Sequence, residues 1–155
     1  MNAEIKRKIR DRWISSLFEI AHSEFQNRLW INAEYKNSVG DYNECVCGYF
    51  DDLDLENGYT DFIANGIISE TEYKIVTELH SELRKYTERT EKRNLSDKNI
   101  LKDVEWINVT NIGLKTWTEL KNKTESIRDK ELMTELENKY LKKKRHLTMY
   151  KFNCG

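Results

Sequence analysis

Proline is absent from all 155 residues. Average usage would place about eight in a chain this long. Proline breaks helix interiors and is at home in turns and at strand edges. A chain without it, rich in Lys, Glu and Leu, is free to run long helices and is poorly suited to a turn-rich sandwich. The hydrophobic fraction of 38%, with four Trp, eight Tyr and five Phe, supplies enough material for one buried core. The expectation is one all-α domain over residues 1–155, a bundle of about five to six helices with no substantial sheet.

The apolar periodicity divides the chain into helices. Ile5, Ile9, Trp13, Leu17, Ile20, Phe25 and Leu29 recur at spacings of three to five, predicting one long helix that fades near Ala33 to Lys36. Asp41 can cap a second helix from Tyr42 to about Leu55, with Glu44 as capping-box partner and Cys45, Val46, Tyr49, Phe50 and Leu53 inward. A short helix holds Tyr59, Phe62 and Ile63 and stops at Asn65-Gly66. Ser69-Glu70-Thr71-Glu72 is a capping box that starts a helix to about Arg89. Ser96-Asp97 opens another, with a kink expected between Val109 and Gly113. A last helix runs from about Ile127 to Lys144, and the tail from Leu147 is a short strand or loop.

Charge is unevenly distributed. Residues 1–36 carry seven basic and five acidic side chains, residues 37–86 three and eleven, and residues 87–155 sixteen and eleven. No Lys or Arg occurs between Lys36 and Lys74, where nine acids lie: Asp41, Glu44, Asp51, Asp52, Asp54, Glu56, Asp61, Glu70 and Glu72. Tyr42, Tyr49 and Tyr59 are interleaved with them. Two readings are open. The acids can be a solvated helix face with the tyrosines in the core, since charge runs usually are. Or they can form a surface that repels nucleic acid and attracts a basic protein, with tyrosines as anchors. For the cluster as a whole the second is favoured.

Several catalytic-looking patterns fail on chemistry. Glu19-x-x-His22 is half of a di-iron motif that requires a second copy, and the chain has only His22, His80 and His146. Cys45-x-Cys47 puts two thiols about 200° apart on a helix, so both cannot face one ion. Asp51, Asp52 and Asp54 have no phosphate-cradling Gly-rich loop beside them. Lys142-Lys143-Lys144-Arg145 is short and suits a helix C-terminus. Binding rather than catalysis is expected, without metal or cofactor. Three cysteines argue for a reducing compartment, no apolar stretch follows the basic start, and no window approaches 18 apolar residues. A cytoplasmic protein with no membrane partner is therefore expected.

The run from Glu44 to Leu53, Glu-Cys-Val-Cys-Gly-Tyr-Phe-Asp-Asp-Leu, followed by Gly58-Tyr59, resembles the immunity proteins of bacterial polymorphic-toxin and contact-dependent growth inhibition systems. So does the character of the chain: small, helical, proline-free, with a tyrosine-studded acidic segment. The resemblance implies a protein that binds and blocks a cognate toxin domain, often a nuclease with a basic cleft. Its acids would then stand in for substrate phosphates. The candidate contact residues are Glu44, Asp51, Asp52, Asp54, Glu56 and Asp61, with Tyr49 and Tyr59 as anchors. The alternative is a helical adaptor that docks another helix in a groove, with no toxin partner. A metal-dependent enzyme ranks behind both.

Overall fold

Six of the eight helices among the described residues start where a side chain accepts from a free amide of the first turn. In the computed structural model, which describes residues 1–141, α1 spans Ala3–Ala21, and the Asn2 side chain accepts from the Ile5 amide at 2.8 Å. Helix α2 is Ser23–Gln26, continued by a π turn over Asn27–Ile31. Helix α3, Tyr42–Cys47, is capped by Asp41, and a second π turn covers Gly48–Asp52. Helix α4 is Thr60–Ala64. Helix α5, Glu70–Thr87, opens with the Ser69/Glu72 capping box. Helices α6, Asp97–Lys102, and α7, Val104–Lys123, follow, and α8 is Ile127–Tyr140. No strand occurs among the described residues. The basic run at 142–145 and the tail lie outside them.

Two segments that periodicity reads as single helices are each split, which raises the count from the expected six to eight among the described residues. The first break is at His22, whose backbone is extended (φ −127°, ψ 100°). Side chains satisfy the carbonyls that this frees. The amide of Gln26 donates to Glu19 O and Ile20 O at 2.8 and 3.1 Å, and His22 Nδ1 lies 2.8 Å from Phe18 O. Gln26 is fully buried, and its oxygen accepts from Trp106 Nε1 at 3.0 Å, so one amide both closes α1 and ties it to α7. The second break is at Asp103. Its carboxylate caps α7 at the Glu105 amide and also accepts from the Tyr86 hydroxyl (2.8 Å) and from Lys92 (2.7 Å).

The expected kink between Val109 and Gly113 is absent: α7 is continuous. Gly113 has a packing role instead. A Cβ there would stand 3.1 Å from Ala21 Cα and 3.4 Å from Ile20 O, so the bare glycine lets α1 and α7 approach backbone to backbone. Helix α7 packs against both α1 and α5 and forms the spine of the bundle. Glycine is required for a different reason at Gly58 and Gly66, where φ is +98° and +70° at the turns flanking α4.

Arg10 locks the far end. Its guanidinium donates to Asp129 (2.9 Å), to Glu72 (2.5 and 3.1 Å) and to Ile67 O (2.7 Å), joining α1, α5 and α8 through one planar group. None of the helices described is long and apolar enough to cross a membrane.

Candidate partner-binding surface

The nine acids between Lys36 and Lys74 come from α3, its π turn, the loop to α4, α4 itself and the first turn of α5. Among the described residues only Glu72 pairs with a cation, Arg10. The other eight form no ion pair with any described Lys, Arg or His. Seven of those eight, Glu44, Asp51, Asp52, Asp54, Glu56, Asp61 and Glu70, are exposed, and Asp41 is half-buried. The local sequence explains the exposure. Cys45, Tyr49 and Leu53 recur at i, i+4 and i+8 and turn inward, which sends Glu44, Asp51 and Asp52 outward.

The two tyrosines do not stand among these carboxylates as surface anchors. Tyr49 is 0% and Tyr59 2% exposed. Their hydroxyls meet at 2.7 Å inside the protein, Trp13 Nε1 donates to Tyr59 at 2.8 Å, and Tyr49 lies 2.8 Å from His80 Nδ1. Each ring fills core volume, and each hydroxyl finds a buried polar partner. That is the ordinary way to bury tyrosine, and it removes both residues from the candidate contact set. Tyr42 is buried as well, in an aromatic cluster with Trp30, Tyr86 and Trp106.

The acids are not one uniform patch. Glu44 and Asp52 line a slot of about 330 Å³ between α3 and α1, with Asp11, Arg12, Ser15 and Glu19 across from them. Asp51 sits beside Cys47, whose exposed thiol is pushed up by desolvation and by Asp51, Glu44 and Asp52. Asp54 and Glu56 follow on the loop, Asp54 with φ +55°. Asp61 is on α4 and does not line the slot. Glu19, which the sequence sets beside His22 and not with the acidic segment, joins this slot. It belongs to α1, and only the fold brings it to α3. Its carboxylate accepts from Trp30 Nε1 at 2.9 Å. Burial raises its pKa, Asp41 and Glu44 add to the rise, and hydrogen bonds from Trp30 and Cys45 act against it. The inward turn of Cys45 beside Glu19, with Cys47 exposed, follows the helical spacing of the two thiols.

Glu19 and His22, the apparent half-motif for a di-iron site, have different partners. Glu19 faces Trp30, while His22 packs under Phe18 and Trp117. Burial pushes His22 below the ordinary imidazole value, against the Phe18 carbonyl and the carboxylates of Glu137 and Glu24. No known protein family, characterised protein or solved structure matches the chain.

Proposed function

We propose that the chain is an immunity protein that binds and neutralises a cognate bacterial toxin domain. The contact surface in this reading is the carboxylate face of α3, its π turn, the following loop and α4. One observation carries the proposal: of nine consecutive acids in a segment with no Lys or Arg, eight lack an ion-pair partner among the described residues. Carboxylates left unneutralised at this density create a field that speeds encounter with a basic surface and repels nucleic acid. Glu44, Asp51, Asp52, Asp54, Glu56 and Asp61 are the contact residues. The slot beside Glu44 and Asp52 suits a lysine or arginine side chain of the partner, and a nuclease with a basic cleft is the partner class of best fit.

The test is charge reversal, with binding measured against any toxin domain found in the neighbouring reading frame. All three sites are exposed, so Asp51→Lys, Asp52→Lys and Asp54→Lys together leave the far-ultraviolet dichroism intact. They weaken toxin binding and abolish protection of cells. Unchanged binding overturns the proposal. The adaptor reading retains one specific support: Val104, Ile107 and Leu114, 77%, 44% and 46% exposed, lie along one face of α7. Partner binding that resists salt and is lost in Ile107→Glu would favour it.

A further inference from the structure

We infer that the groove between the start of α1, the start of α5 and the α7–α8 junction binds a small phosphate-bearing anion. The groove holds about 800 Å³, within the range of small-ligand sites. Five cations line it: Lys6, Arg7, Arg10, Lys123 and Arg128.

Their partners divide them into two groups. Arg10 is consumed by Glu72, Asp129 and Ile67 O, and Arg128 by Asp11 at 2.6 and 2.9 Å. Those two are struts that fix the walls. Lys6, Arg7 and Lys123 pair with no carboxylate among the described residues. Of the three acids in the lining, Glu72 and Asp129 are already taken by Arg10, which leaves Glu125 against three free cations. The groove is thus a concave positive site in a chain of net charge −1. Lys6 Nζ lies near the Gly66 wall of the groove: a Cβ built on Gly66 would be 3.9 Å from it.

The first turns of α5 and α8 also border the groove. Ser69 and Ser126 already accept from the amides of Glu72 and Asp129, so those helix starts are not what makes the site. Both hydroxyls keep a hydrogen to donate, and Thr71 is a third hydroxyl residue of the lining. Apart from the Glu125 carboxylate, the free side-chain groups are donors, in a number that suits the many acceptor oxygens of a phosphate ester or polyphosphate. No aromatic ring lines the groove. Recognition rests on the anion, with no platform on which a nucleobase could stack. The inference is independent of the toxin-binding reading, since none of its three free cations belongs to the acidic segment.

The test is calorimetric titration of the full chain with inorganic tripolyphosphate at low ionic strength. Variants are Lys6→Ala/Lys123→Ala and Arg7→Ala, with exposed Lys102→Ala on α6 as the control. Wild type and control bind alike. The double variant loses about tenfold or more in affinity, as loss of charge-assisted contacts demands, and all variants keep the wild-type dichroism. No heat from wild type at millimolar ligand, or equal affinity in the double variant, overturns the inference. So does tighter binding of an all-glutamate decapeptide than of tripolyphosphate, which would assign the groove to an acidic protein segment.

Discussion

The buried hydroxyl chain offers the sharpest energetic prediction. Trp13 Nε1–H donates to Tyr59, the two tyrosine hydroxyls share one hydrogen bond, and Tyr49 reaches His80 Nδ1. Three hydrogens serve three links, and all are satisfied when Tyr59 donates to Tyr49 and Tyr49 donates to a neutral His80. Tyr49→Phe removes the acceptor of the Tyr59 hydroxyl, which is 2% exposed. An orphaned buried donor costs about 1–3 kcal/mol. The His80 nitrogen, in a half-buried side chain, turns to water at small cost. Tyr59→Phe instead strands the Trp13 N–H, which is 1% exposed, at a similar cost of about 1–3 kcal/mol. In the double variant only the Trp13 donor is stranded. Its destabilisation should therefore equal that of Tyr59→Phe alone and fall short of the sum by about 1–3 kcal/mol. Urea denaturation of the four proteins, followed by tryptophan fluorescence and dichroism, measures the cycle. Additive losses, or single losses below about 0.5 kcal/mol, would refute the shared-hydrogen account.

Three further outcomes follow from the same packing. Burial lowers the pKa of both His22 and His80, with Arg84 adding to the effect at His80. The folded state thus binds fewer protons than the unfolded one. The histidine contribution is complete above the ordinary value of about 6.5 and is lost as pH falls below it; an unchanged urea midpoint between pH 7.5 and 5.5 would contradict this. Glu19 has the opposite sign: its raised pKa means that its buried charge costs stability as pH rises through the carboxylate range. Glu19→Gln, which keeps an oxygen for Trp30, should raise the urea midpoint at pH 7.5, and the gain should vanish near pH 4.5. Gly113→Ala should destabilise by about 1–3 kcal/mol through overpacking against the Ala21 backbone. Alanine is the better helix former by about 1 kcal/mol, so a stabilised variant would show that the close approach of α1 and α7 is slack.

Helix starts were readable because they depend on neighbouring residues: Asp41, Ser69 and Ser96 cap the helices that the local pattern assigns to them. The breaks at His22 and Asp103 were not, since the groups that satisfy them are distant or folded back. Gln26 reaches Trp106 on α7, and Asp103 answers Tyr86 and Lys92. Periodicity alone continues a helix through both points. The acidic segment was visible as charge, and the exposure of Asp51, Asp52 and Asp54 followed from the inward spacing of Cys45, Tyr49 and Leu53. Tyrosine was ambiguous, because the same ring and hydroxyl serve a core or an interface. The buried Trp13 and the half-buried His80 decide for the core at Tyr49 and Tyr59. Glu19 could not be grouped with Glu44 and Asp52 before α1 and α3 were placed side by side.

Stopped-flow mixing with a candidate toxin partner, at ionic strengths of about 10 and 200 mM, tests the proposed binding role most directly. The screening length shrinks from about 30 Å to below 10 Å across that range. Steering by the unpaired acids predicts an association rate that drops by about tenfold or more on adding salt, and a slow, salt-insensitive rate once Asp51, Asp52 and Asp54 are reversed. A wild-type rate that stays flat across the two salt concentrations would contradict it.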